Sequence, residues 1–157
     1  SYIGASMAHH YEEYLKIPTI LVSGGFDPIH KGHCRMIIEA AKYGKLIVAA
    51  NSDDWLMRKK GFVFMSYEER KEILSCIKGV ARVIMANDTD NTVCATLREY
   101  KPEYCANGGD RTSTNTPEMA VCKELGITML WGVGGGKVQS SSDLTKGHVP
   151  ETNKPVC

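Results

Sequence analysis

The sequence predicts an α/β fold, a Rossmann-like open parallel sheet of about five strands with helices on both faces. Three observations carry this. Short continuous apolar runs such as residues 46–50 alternate with stretches of helical apolar spacing. The connections are short and rich in Gly, Asn, Asp and Ser. The first apolar run, residues 19–23, passes through a glycine turn directly into a helical pattern, the order that builds parallel sheets.

Residues 1–16 read as an N-terminal extension with a short helix over 12–16, residues 17–146 as one domain, and residues 147–157, polar with two prolines, as a loose tail. After the first strand a helix is expected over 30–43, closed by Gly44. Residues 46–50 form the next strand, and Asn51 to Asp54 cap a short helix ending near Met57, followed by the basic run Arg58-Lys59-Lys60 and a loop at Gly61. Ser66 and Glu69 have capping-box spacing, opening a helix with Ile73, Leu74 and Ile77 on one face. Residues 80–85 are a strand. Asp88 or Asp90 is expected to open a helix carrying Val93, Leu97 and Tyr100 that ends before Pro102. Residues 103–106 form a short strand, and residues 107–110 a second glycine turn. Thr116 and Pro117 suit N-cap and N1 of a helix reaching Leu125. Residues 127–131 are the last strand, residues 132–137 a glycine-rich flexible lid, and residues 140–143 the start of a final helical turn.

Composition narrows the function. Lys and Arg number 19 against 18 Asp and Glu, so there is no basic excess of the kind nucleic-acid binding uses. No apolar run reaches membrane-spanning length, and the first residues lack a signal-peptide core, so a cytoplasmic protein is expected. The six cysteines form no Cys-x-x-Cys pair and no zinc spacing, and read as reduced, mostly buried side chains.

Right-handed crossovers place the turns after the strands along one sheet edge, where ligands bind in such folds. Gly24 and Gly25 let backbone pass close to a ligand. The helix N-terminus behind them favours an anion, and His30 and His33 stand at that same place. These residues read as a phosphate-handling site, with metal ligation or a plain polar helix start as the competing readings.

The run Gly24-Gly25-Phe26-Asp27-Pro28-Ile29-His30-Lys31-Gly32-His33 resembles the HxGH signature of the cytidylyltransferase-like nucleotidyltransferases. Three further stretches match in order. Arg70 lies in a segment similar to the family's Glu-x-Arg helix, Gly108-Gly109-Asp110 resembles its glycine–acid turn, and Ser140-Ser141-Ser142-Asp143-Leu144 resembles its C-terminal helix start. The resemblance covers about residues 19–145 and is strongest to heptose-1-phosphate adenylyltransferase domains and glycerol-3-phosphate cytidylyltransferases. It implies transfer of an NMP group from CTP or ATP to a phosphorylated sugar or polyol, with pyrophosphate released and Mg²⁺ bound with the NTP. Under it His30, His33, Lys60 and Arg70 are catalytic, the last two by reaching phosphates. Gly24, Gly25, Phe26 and Gly32 bring backbone to the nucleotide, and Asp27 orders the loop or helps to position Mg²⁺. Gly108, Gly109 and Asp110 border the base or ribose, and Ser140, Ser141 and Ser142 close on phosphates.

The chain also departs from that pattern. Gly25 stands where small members carry Thr or Cys, and Gly136-Lys137-Val138-Gln139 stands where the cytidylyltransferases carry Arg-Thr-x-Gly-Ile-Ser. ATP and CTP therefore both remain open, as does the acceptor. Competing readings are an adenylyltransferase acting on a pantetheine phosphate or a nicotinamide or nicotinate mononucleotide, and a nucleotide-binding protein without turnover. A homodimer is compatible with the sequence but has no distinct signal in it. A dehydrogenase is not supported, because no G-x-G-x-x-G follows the first strand.

Overall fold

The computed structural model describes residues 2–108, 116–135 and 145. Its elements follow as α1 (Tyr2–Lys16), β1 (Thr19–Gly24), α2 (Lys31–Ala40), β2 (Lys45–Ala50), α3 (Asp53–Lys60), α4 (Tyr67–Ser75), β3 (Val80–Met85), α5 (Cys94–Tyr100), β4 (Tyr104–Gly108), α6 (Pro117–Leu125) and β5 (Thr128–Val133). The five strands form one parallel sheet in the order β3-β2-β1-β4-β5. The predicted class is therefore the observed one.

The central strands are apolar on both sides because both sides are covered. Ile20, Val22, Leu46, Val48 and Ala106 pack with Met36, Ile37, Tyr67 and Leu74 of α2 and α4. Leu21, Ala49, Ile84 and Cys105 pack on the opposite face with Leu97, Val121 and Cys122 of α5 and α6. The chain winds outward from β1 to β3, then α5 carries it back across to β4 on the other side of β1. The switch point thus lies between β1 and β4, and the crevice at their C-terminal ends is where such sheets hold ligands. Among the described residues no helix is long and apolar enough to cross a membrane.

Several boundaries differ from the sequence expectation. The N-terminal helix covers Tyr2–Lys16, not only 12–16, and stops where Pro18 follows. Helix α2 ends at Ala40 instead of residue 43. Helix α3 continues to Lys60, so Arg58, Lys59 and Lys60 belong to its last turn, where cations suit the helix dipole. Gly61 ends it in the left-handed conformation at φ 80°. Neither Asp88 nor Asp90 caps α5, which starts at Cys94. The Asp88 carboxylate bonds back to Asn51 and Ser52, and the Asp90 carboxylate accepts from Thr92 in the preceding turn. Thr116 and Pro117 are the N-cap and first residue of α6 as expected, though the Thr116 side chain makes no cap bond. Strand β4 runs to Gly108 and β5 to Val133, each reaching into what read as glycine loops. Of the expected lid, Gly134 donates its N–H to the Glu39 carboxylate of α2. Gly136 and Lys137 of that lid lie outside the described residues, as do Gly109, Asp110 and Ser140 to Ser142.

Candidate active site

The loop from β1 to α2 is built so that two imidazoles cap one helix. His30 is the N-cap residue, with extended backbone at φ −140°. Its Nδ1 accepts from the N–H groups of Gly32 at 3.1 Å and His33 at 3.3 Å. The Nδ1 of His33 in turn accepts from the N–H of His30 at 3.2 Å. This is a capping box in which histidines fill both the Ser/Thr and Glu places. The rings stack with centroids 3.7 Å apart, and the Phe26 ring meets His33 edge-on at 4.8 Å. Because Nδ1 accepts, the neutral ring carries its hydrogen on Nε2, and that edge is the donor each histidine can offer a ligand. Burial, reinforced by His30, lowers the His33 pKa from 6.5 to about 4, so His33 is neutral at physiological pH.

The turn before the histidines is shaped by Phe26. Its φ of 52° lies in the left-handed region that non-glycine residues seldom adopt. Its ring folds back over Gly24, where an added Cβ would lie 3.3 Å from the ring, a tight contact.

Asp27 is buried, and its carboxylate is filled by the protein itself. It accepts from the N–H groups of Phe64 at 2.8 Å and Met65 at 2.5 Å, and pairs with Lys60 Nζ at 2.9 Å. Lys60 also donates to the Asp27 carbonyl at 2.8 Å. Asp27 therefore orders the loop. Two of the three Lys60 N–H groups serve Asp27, which holds its ammonium beside the turn.

Arg70 is likewise engaged by protein groups. Its side chain is wholly buried. It donates to the carbonyls of Met65 at 2.9 Å, Gly25 at 2.8 Å and Asn51 at 2.7 Å, and to Asp53 Oδ1 at 2.7 Å. Four of its five N–H groups are thus occupied by protein acceptors. Arg70 ties the ends of β1 and β2 to α4. The basic run divides likewise. Arg58 bonds to Asn91 and to the Asp88 carbonyl, and Lys59 lies over the Trp55 ring.

Sequence reasoning missed Asp88. It is buried and accepts from Asn51 Nδ2 at 3.1 Å, Ser52 N at 2.7 Å and Ser52 Oγ at 2.7 Å. It thereby joins the ends of β2 and β3. Its partners lie 36 and 37 residues away, so no local pattern marked it. Gly108 ends β4 against the Met36 thioether, which brings β4 onto α2. The structure thus gathers Gly24, Gly25, Phe26, Asp27, His30, Gly32, His33 and Lys60 around one turn, with Gly108 at the neighbouring strand end.

Residues 21–131 match the cytidylyltransferase-like family. The chain is similar to the mouse (Mus musculus) ethanolamine-phosphate cytidylyltransferase, at 30% identity over 63% of this chain and 24% of that one. It is similar to the bifunctional protein HldE of Syntrophotalea carbinolica, at 37% identity over 68% of this chain and 21% of that protein. The matched part is thus about a quarter of the length of these curated relatives. A solved lipopolysaccharide core biosynthesis protein from Thermoplasma volcanium superposes with a TM-score of 0.61 at 26% identity, covering 74% of this chain and 94% of that one. With its parallel sheet, its switch-point crevice and its paired histidines at the start of α2, the chain belongs to the cytidylyltransferase-like family.

Proposed function

We propose that this chain transfers the NMP group of an NTP to the phosphate of a small phosphorylated molecule and releases pyrophosphate. The observation that carries this reading is the reciprocal His30–His33 cap at the switch point. An oxygen of the acceptor phosphate attacks the α-phosphorus, and the bond from that phosphorus to the bridging oxygen of pyrophosphate breaks. No protein nucleophile is required, so catalysis rests on position and charge. The Nε2–H groups of His30 and His33 donate to the nucleotide phosphates as negative charge grows on the leaving group. The N–H groups at the start of α2 add their partial positive charge. Gly24, Gly25, Phe26 and Gly32 bring backbone to the nucleotide, and Lys60 stands beside it as the local cation. Arg70 and Asp27 hold this turn and the segment at 64–65 in place without touching the reacting atoms.

Mg²⁺ fits as an ion carried by the NTP phosphates, where it supplies charge neutralisation. Among the described residues no three His, Cys, Asp or Glu gather to hold one. The family carries acceptors of several kinds. The relative named for ethanolamine phosphate, and the resemblance to sugar and polyol phosphate enzymes, support a small phosphomonoester in that role. The test is pyrophosphate release with Mg²⁺, ATP or CTP, and a panel of glycerol 3-phosphate, ethanolamine phosphate and sugar 1-phosphates. One productive pair is expected. Silence across the panel, with NTP binding intact, would favour a binding protein without turnover.

A further inference from the structure

We propose that Asn107 recognises the acceptor substrate, its amide donating a hydrogen bond to an oxygen of the acceptor phosphomonoester. This rests on the transfer reaction proposed above and deepens it. Among the described residues Asn107 Nδ2 is the buried side-chain nitrogen or oxygen atom left without a hydrogen-bond partner. The residue is only 9% exposed. A buried amide donor without a partner is unfavourable, and native proteins keep such groups where something else meets them.

Its place in the fold indicates what meets it. Asn107 precedes the last residue of β4, at the switch point. Strands β1 and β4 pair with Leu21 opposite Cys105. That pairing ends at Cys105; Asn107 and Ser23 lie two residues further along their strands, next to the Gly24 turn. Adjacent strands lie about 4.8 Å apart, which places Asn107 within reach of a group reacting above that turn.

The sheet face then separates the two substrates. Side chains alternate along a strand, so Asn107 shares the face of Cys105, which packs under α5 and α6. The histidines open α2, which packs on the opposite face. In-line transfer requires the entering and leaving oxygens to lie on opposite sides of the α-phosphorus. With pyrophosphate leaving toward His30 and His33, the acceptor phosphate enters from the Asn107 side. The amide turns about χ2 to present Nδ2 to it.

The test compares Asn107→Leu, of similar volume, with the wild type. Removing an unpartnered amide should leave the ligand-free Tm unchanged or raised, whereas a structural amide would lower it. In the pyrophosphate assay the KM for the acceptor should rise about tenfold or more, with the KM for the NTP changed less than about threefold. A rise confined to the NTP, or a lowered Tm with an unchanged acceptor KM, overturns the proposal. Ligand-induced Tm shifts separate its failure from that of the reaction. A panel phosphomonoester that stabilises the wild type but not Asn107→Leu supports recognition here even if no pyrophosphate appears. Equal stabilisation of both proteins, or no shift of the wild type by any panel compound, overturns it.

Discussion

Replacing Arg70 with Met decides between a buried brace and a phosphate ligand. Methionine keeps much of the volume and removes every donor. The carbonyls of Gly25, Asn51 and Met65 then lose their partner at the meeting of β1, β2 and α4. Hydrogen bonds to a charged donor are each worth about 1.5–3 kcal/mol, but the net loss is smaller because some carbonyls recover water. The Asp53 carboxylate is 46% exposed, so that ion pair adds little, about 0–1 kcal/mol. Breaking a buried charged network by removing one partner typically costs 3–5 kcal/mol, and we expect Arg70→Met to fall there. For a domain of this size that is roughly a 10–15 °C drop in Tm. Urea unfolding followed by circular dichroism measures it, with Arg70→Lys expected to recover only part, since an ammonium cannot reproduce the fork. A loss below about 1 kcal/mol together with abolished NTP binding would refute the brace and restore Arg70 as a phosphate ligand.

Asparagine at position 33 places its Oδ1 where His33 Nδ1 now accepts the His30 N–H, and removes the Nε2 edge. His33→Asn should therefore stay within about 1 kcal/mol of wild-type stability while kcat falls about 10²-fold or more; a kcat within tenfold would end the donor role. Since His33 takes up its proton near pH 4 in the folded chain and near 6.5 otherwise, the unfolded chain binds more protons between those values. Its contribution is level above about pH 6.5, and stability falls as pH drops from there toward 4, by at most about 1.4 kcal/mol per pH unit. The urea midpoint of His33→Asn should be flatter over that range, and parallel profiles would contradict the assignment. Asp27→Asn removes the buried partner of Lys60 and should cost about 2–4 kcal/mol in urea unfolding and raise the NTP KM. An unchanged unfolding midpoint would show that the loop is held by other contacts.

What the chain reveals locally is what its sequence alone determined. The strand–helix alternation, the Ser66–Glu69 capping box and the glycine turn into two histidines depend on residues within a few positions of one another. Apolar runs and cap residues report that scale directly, so the parallel sheet and the turn that carries the paired histidines were both legible. The mutual Nδ1 bonds of His30 and His33 were within reach too, since capping-box spacing applies to any acceptor side chain. The roles of Arg70, Asp27 and Asp88 were decided only by tertiary structure. Arg70 meets Gly25 across 45 residues, Asp27 meets Met65 across 38, and Asp88 meets Ser52 across 36. From sequence a charged residue near a phosphate site reads as a ligand. Burial reverses this, because a charge withdrawn from water must be met by protein groups, and those that meet it here are brought near by the winding of the sheet. Asn107 shows the converse, a neutral residue with no motif, singled out because folding buried its amide without a partner.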